Sequence, residues 1–145
     1  DIDDSMKGFL EENQIEFFKC NLENERIPLP DSSIDVIFSN HVIEHLFNPD
    51  NHMKECMRVL SRNGILFIMT PDFKKHKTLF YEMDPTHVHP YCKASLKRLM
   101  QIYRFHSLEI NSFGAFTGIG YTKLYKYWDG LLFSGMNIIC KGRKV

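Results

Sequence analysis

The sequence predicts an α/β fold, a doubly wound and mostly parallel sheet whose last strand runs antiparallel. Three observations carry that expectation. Two apolar runs, Ile34 to Phe38 (broken only by Asp35) and Ile65 to Met69, have the length and near-continuous character of strands buried on both faces of a parallel sheet. A helical pattern lies between them, with Met53, Cys56, Met57 and Leu60 at i, i+3, i+4 and i+7. A strand, helix and strand of this combined length form a right-handed parallel crossover.

Taken in order, the chain opens with a short helix from about Ser5 to Asn13, which places Met6, Phe9 and Leu10 on one face. Ile15 to Cys20 reads as a strand, followed by Asn21-Leu22. The helix after the Ile34 strand starts at Asn48, whose amide can cap it; Pro49 suits the first turn and Asp50 the positive end of the dipole. Asn63-Gly64 reads as its left-handed stop. Residues 73–92 form a polar and aromatic loop containing Asp84-Pro85-Thr86-His87-Val88-His89-Pro90. Cys92 to Arg104 is a second amphipathic helix, with Leu96, Leu99, Met100 and Tyr103 on one stripe. Phe105 to Phe113 and Met136 to Lys141 read as the closing strands. Between them residues 114–135 form an aromatic-rich insertion with Phe116, Tyr121, Tyr125, Tyr127, Trp128 and Phe133. The 145 residues are expected to form a single domain.

Composition narrows the function. Hydrophobic content of 43% and charged content of 25% are those of a globular protein. Eighteen residues of each sign balance to zero net charge, and no Lys/Arg run appears, so a nucleic-acid partner is not expected. No stretch is long and apolar enough to span a bilayer, and no signal peptide opens the chain, which points to a cytoplasmic protein. The aromatic insertion leaves contact with a membrane surface open. Cys20, Cys56, Cys92 and Cys140 are scattered without a C-x-x-C spacing and read as reduced thiols rather than a disulfide framework. Oligomeric state is not readable.

An ordered set of motifs carries a family resemblance. Ile27-Pro28-Leu29-Pro30-Asp31-Ser32-Ser33-Ile34-Asp35, then Glu44-His45-Leu46, then Arg58-Val59-Leu60-Ser61-Arg62-Asn63-Gly64 resemble the middle of a class I S-adenosylmethionine-dependent methyltransferase of the type 11 kind. The family's usual Lys-Pro-Gly at the end of the helix is replaced here. The resemblance implies a Rossmann-like sheet, S-adenosyl-L-methionine as cofactor, and methyl transfer; the absence of a basic run and the aromatic insertion point to a small-molecule acceptor, a sugar or lipid precursor. On the same resemblance Asp1, in Asp1-Ile2-Asp3-Asp4-Ser5-Met6, is the acidic residue that accepts from the ribose hydroxyls. Asn21 stands where the family usually has the Asp that accepts from the adenine amino group, with the Leu22 backbone beside it. The family's first strand and its G-x-G-x-G loop should precede Asp1, so the fold is expected to be N-terminally incomplete. This chain alone is expected to bind cofactor weakly and to be a candidate for inactivity. Residues 73–92 occupy the family's substrate region.

Parallel sheets bind ligands beyond the carboxyl ends of their strands, here Ser39-Asn40-His41 and Thr70-Pro71-Asp72. Asp1, Asn21, Leu22, Ser39 and Asn40 are therefore the expected cofactor residues, and His41, His87 and His89 the candidate catalytic ones. Asp84-Pro85 starts a turn that leaves Thr86 to His89 extended. Residues two apart then face alike, so both imidazoles meet one side, with a pKa suited to a general base. No metal ligand set is assigned. Two other functions remain in view. One is a binding protein that keeps the fold without turnover. The other is a zinc hydrolase, because His41-Val42-Ile43-Glu44-His45 matches the inverted zinc-peptidase pattern H-x-x-E-H, with Glu55 or Glu82 as the third ligand. Pro49 argues against it by interrupting any such helix early.

Overall fold

In a computed structural model, residues 4–113 and 136–145 are described. Among them α1 spans Lys7–Glu12, β1 Ile34–Asn40, α2 Asp50–Val59, β2 Leu60–Pro71, α3 Phe73–His76, α4 Leu79–Met83, α5 Lys93–Ile102, β3 His106–Phe113 and β4 Asn137–Arg143. The strands form one mixed sheet in the order β1-β2-β4-β3. β1 and β2 are parallel, and β4 runs antiparallel to both β2 and β3. Three strands thus share a direction and the last opposes them, the Rossmann-like arrangement the sequence predicts.

The α2 stripe behaves as its spacing requires. Met53, Cys56 and Leu60 are buried, and Met57 packs against them half-exposed. They meet Leu66 and Ile68 of β2, Ile138 and Cys140 of β4, and Leu96 and Met100 of α5 in one apolar cluster. Asn48 Oδ1 accepts from the Asp50 N–H at 3.0 Å, so the expected cap is present. The four cysteines are free thiols, Cys20, Cys56 and Cys140 buried.

Several local readings differ from the structure. Residues 15–20 form no strand, and of them only Cys20 is buried. An apolar run becomes a strand only where a neighbour accepts its ladder bonds, and among the described residues β1 pairs with β2 alone. Asn63-Gly64 does not stop α2, which ends at Val59 with Leu60 already extended. Asn63 does adopt φ 64°, but inside β2, where the register shifts against β1. A Cβ on Gly64 would lie 2.9 Å from the Ser61 carbonyl oxygen and 3.2 Å from that of Asp35, so the irregularity needs glycine for close approach. The 73–92 loop folds into α3 and α4 before extending. The apolar face of α1 buries nothing. Val36 and Phe38, read as doubly buried, are each 56% exposed on the sheet face opposite α2 and α5. The 114–135 insertion and Asp1 lie outside the described residues.

Candidate functional site

The site is built where β1 ends. The His41 N–H still completes the ladder to the Met69 carbonyl at 2.9 Å, but its φ is 51°. A left-handed backbone at a residue other than glycine is costly, and it turns the chain sharply off the sheet. The next residues, Ile43–His45, make a single 3₁₀ turn that buries Ile43 and Glu44 completely. The Glu44 carboxylate is tied to the end of β2, with Thr70 Oγ1 donating to its Oε2 at 3.0 Å. The Glu44 backbone carbonyl accepts from the N–H groups of Val88 and His89 at 2.8 and 3.0 Å, which draws the loop after α4 over the strand ends. Glu44 Oε1 lies 3.0 Å from His41 Nδ1, yet off-axis for a hydrogen bond, so this fully buried oxygen has no hydrogen-bond partner.

Two cavities open beside this turn. A cleft of about 370 Å³ is lined by Cys20, Asn21, Leu22, His41, Val42, His45 and Leu46. The second, about 640 Å³, is walled by Pro71, Leu79, Phe80 and Met83, with polar edges from His41, His76, Asp84, His87 and Asn137. His41 borders both.

The Asn21 turn is held in place from α2. Asn21 Oδ1 accepts from the Glu23 N–H at 3.0 Å, and the Asn51 amide donates to the carbonyls of Leu22 and Glu25 at 3.0 and 2.9 Å. The Ser39 hydroxyl turns inward instead, 3.0 Å from Nε2 of buried His52. Burial without a compensating charge pushes His52 down to about 4, so it is a neutral core histidine. Asn40 is exposed at the strand end.

The two loop histidines take different roles. His87 stacks on Phe80 with ring centroids 4.3 Å apart, and its Nδ1 donates to the Phe80 carbonyl at 2.6 Å. His89 Nε2 donates to the Phe47 carbonyl at 3.0 Å, and His89 lines neither cavity. The structure thus brings Asn21, Leu22 and His41 to one cleft and His41 and His87 to the other. Ser39 and His89 have their side chains engaged elsewhere, and Asp1 is outside the described residues.

The zinc-peptidase pattern does not have the geometry that chemistry needs. His41 precedes the 3₁₀ turn rather than sharing a helix face with His45, and Glu44 is sealed from solvent. Glu55 is occupied by Arg58, through Arg58 Nε to Oε1 at 2.8 Å and Nη2 to Oε2 at 2.6 Å. Asn51 and Phe80 escaped sequence reasoning. Asn51 looks like any polar residue at a helix start, and Phe80 like a loop aromatic.

Comparison with known proteins agrees with the fold. The family profile described as a methyltransferase domain matches residues 1–68. A protein of Mycolicibacterium smegmatis described as a probable S-adenosylmethionine-dependent methyltransferase is 32% identical over 101 residues, covering 68% of this chain and 38% of its own. One of Mycobacterium tuberculosis with the same description is 41% identical over 59 residues, covering 41% of this chain and 21% of its own. The chain therefore spans well under half the length of these curated relatives. Among solved structures, an S-adenosylmethionine-dependent methyltransferase from Archaeoglobus fulgidus superposes with TM-score 0.73 at 20% identity, over 99% of this chain and 74% of that one. One from Mesorhizobium loti gives 0.75 at 12% identity, over 99% and 78%.

The class defined by the sheet is that of Rossmann-like α/β folds. Within it, residues 1–68 match the methyltransferase-domain profile, and the chain is similar to S-adenosylmethionine-dependent methyltransferases in sequence and fold. The family's cofactor is S-adenosyl-L-methionine, and the smaller cleft suits part of that molecule. Cys20, Leu22, Val42 and Leu46 offer apolar walls for an adenine ring. Asn21 Oδ1, with one lone pair taken by Glu23, keeps another for an amino group.

Proposed function

We propose that the protein transfers the methyl group of S-adenosyl-L-methionine to a small-molecule acceptor, with a sugar or lipid precursor as the acceptor class. The observation that carries this reading is the position of His41, which borders both the Asn21–Leu22 cleft and the larger, mostly apolar cavity. A methyl donor in the first and an acceptor in the second would meet beside it. Asn21 and Leu22 would wall the adenine end. Asp1 would take the ribose hydroxyls on the family resemblance, and Ser39 and Asn40 would close the strand end through their backbone.

When bound, the sulfonium supplies an already activated methyl carbon, so the protein's task is alignment and exclusion of water. The walls of Leu79, Phe80 and Met83 serve the second purpose. An oxygen or nitrogen acceptor must also lose a proton. His41 would receive it, with the Glu44 carboxylate 3.0 Å from its Nδ1 to balance the charge that forms, and His87 is placed to contact the acceptor. The balanced surface charge favours a small acceptor over a nucleic acid, and no helix among the described residues is long and apolar enough to cross a membrane.

Calorimetry with S-adenosylhomocysteine on the full-length protein, followed by transfer of labelled methyl to sugar and lipid-precursor panels, tests the proposal. Saturable binding and labelled product are expected. Absence of binding by folded protein would sink it, whereas binding without turnover on any acceptor would turn the reading to a non-catalytic binding protein.

A further inference from the structure

One cluster of metal-ligating side chains stands among the described residues. Ring nitrogens of His45 and His87 and a carboxylate oxygen of Glu44 lie within 4.8 Å of one another. The two ring centroids are 4.8 Å apart. Nothing in the methyl-transfer reading uses the three together, and His87 reaches the adjacent Glu44 and His45 from a distant part of the chain.

The hydrogen bonds around the cluster decide what its atoms can do. The Thr86 hydroxyl donates to Asp84 Oδ1 at 2.6 Å, so its oxygen is left to accept. Its neighbour at 2.9 Å is His45 Nδ1, which must therefore carry the hydrogen. His87 Nδ1 must likewise carry a hydrogen, because its partner at 2.6 Å is the Phe80 carbonyl. Each ring, when neutral, is thus held in the tautomer that leaves a lone pair on Nε2. Oriented imidazoles whose other nitrogen is tied to a carbonyl or a carboxylate-backed hydroxyl are the usual outer arrangement of metal-binding histidines. The third member supplies the charge. Glu44 is fully buried, and its Oε1 has no hydrogen-bond partner. A buried carboxylate oxygen without a partner is expensive, and a cation is one way to satisfy it. The remaining anionic group in reach is Asp84, whose Oδ2 is 3.9 Å from His87 Nε2.

We propose that Glu44, His45 and His87 form a binding site for a divalent transition-metal ion, with zinc the best fit to two imidazoles and one carboxylate. Zinc–ligand distances of about 2.0–2.2 Å at tetrahedral angles put two ligands about 3.4 Å apart, so atoms that lie within 4.8 Å of one another close by at most roughly 1.4 Å when the ion binds. Three protein ligands leave a coordination position open. His45 borders the smaller cleft and His87 the larger cavity, so that position lies between donor and acceptor spaces and suits an acceptor bearing a hydroxyl oxygen. The site shares only His45 with the zinc-peptidase ligand set: His87 stands in place of His41, and Glu44 is itself a ligand in place of Glu55 or Glu82.

The test is titration of the purified, metal-stripped full-length protein with Co²⁺, read by visible absorption, then displacement by Zn²⁺. One equivalent is expected to bind, with the bands of a low-coordinate nitrogen–oxygen site. His45→Ala and His87→Ala should each weaken binding by about 100-fold or more, and Thr86→Val, which spares every ligand, by about 10-fold. No stoichiometric Co²⁺, or binding unaffected in the two histidine variants, overturns the site. Should a histidine variant misfold, Thr86→Val decides, since unchanged affinity there is equally adverse. S-adenosylhomocysteine calorimetry with chelator present keeps this result separate from the cofactor reading, because the cofactor residues include none of the three ligands.

Discussion

Arg58→Ala should be among the most damaging single changes near the site, although Arg58 touches neither cavity. Its guanidinium makes five hydrogen bonds. Nε and Nη2 grip both oxygens of Glu55, Nη2 also reaches the Ile27 carbonyl at 2.8 Å, and Nη1 reaches the Leu29 carbonyl at 2.9 Å and Asp31 Oδ1 at 2.7 Å. Glu55 Oε2 accepts in turn from the Ile27 N–H at 2.8 Å. One helix residue therefore pins the whole Ile27–Asp31 segment that leads into β1. The Arg58 and Glu55 side chains are 17% and 12% exposed, so removal of the arginine strands a largely buried carboxylate and two carbonyls. Breaking a buried ion pair costs about 3–5 kcal/mol and an exposed one under about 1 kcal/mol, which places this pair near 3 kcal/mol. For a domain of this size that lowers Tm by roughly 6–12 °C. Arg58→Lys keeps the charge but loses the fork, and should lie between. The pH dependence adds a signature. The hydrogen bonds from Arg58 hold Glu55 below its ordinary 4.5. A depressed carboxyl stabilises the fold above its unfolded value, and that stability fades as pH falls from 4.5 through the folded value. Thermal melts from pH 7 to pH 3 should therefore converge for wild type and Arg58→Ala at the acid end. A variant that melts within 2 °C of wild type at pH 7, or curves that stay parallel, would refute the reasoning.

Other outcomes follow from single contacts. His52, at about 4 in the fold against 6.5 unfolded, binds fewer protons than the unfolded chain between those values, so stability should drop by about 3 kcal/mol as pH falls through that window. His52→Leu should remove that part of the slope in pH-dependent denaturant melts. Gly142→Ala places a Cβ 2.6 Å from Met100 Cε and 2.9 Å from Phe105 Cβ, and should cost about 1–3 kcal/mol by urea unfolding. Phe80→Ala empties a side chain that is 1% exposed and should cost about 3–5 kcal/mol while loosening His87, seen as earlier amide exchange in residues 84–90. His41→Asn, which tolerates the left-handed backbone, should keep Tm and lower methyl turnover by about 100-fold or more in the transfer assay.

The readable parts of the fold were those in which local pattern and tertiary role coincide. The α2 stripe of Met53, Cys56, Met57 and Leu60 is a helix signal and also the packing surface itself, so position and burial came together. The unreadable parts were those in which a neighbour decides. Residues 15–20 have strand composition but no ladder partner among the described residues. Asn63-Gly64 has the chemistry of a helix stop, yet Leu60 leaves the helix three residues earlier and joins the parallel ladder opposite Ile34. The same left-handed asparagine and unhindered glycine serve either feature, so residue type alone does not choose.

The site divides along the same line. His41 was singled out because the apolar run of β1 locates a strand end, and ligands gather at strand ends; Asn21 and Leu22 line the same cleft although the run before them forms no strand. His87 and His89 could not be separated by sequence, since both stand in an extended run that directs them alike. The difference comes from partners outside the extended run. The Phe47 carbonyl takes the His89 ring, and the Phe80 carbonyl takes that of His87, leaving only His87 on a cavity wall. Glu44 is the clearest case. In the sequence it is one letter of a motif shared by two unrelated chemistries. In the fold its backbone carbonyl collects two N–H groups from the loop, its Oε2 takes the Thr70 hydroxyl, and its Oε1 remains sealed in the interior, 3.0 Å from His41 Nδ1 without a hydrogen bond. No spacing rule reaches that arrangement, because it depends on a left-handed His41 delivering residue 44 inward just where residues 86–89 come back across the sheet.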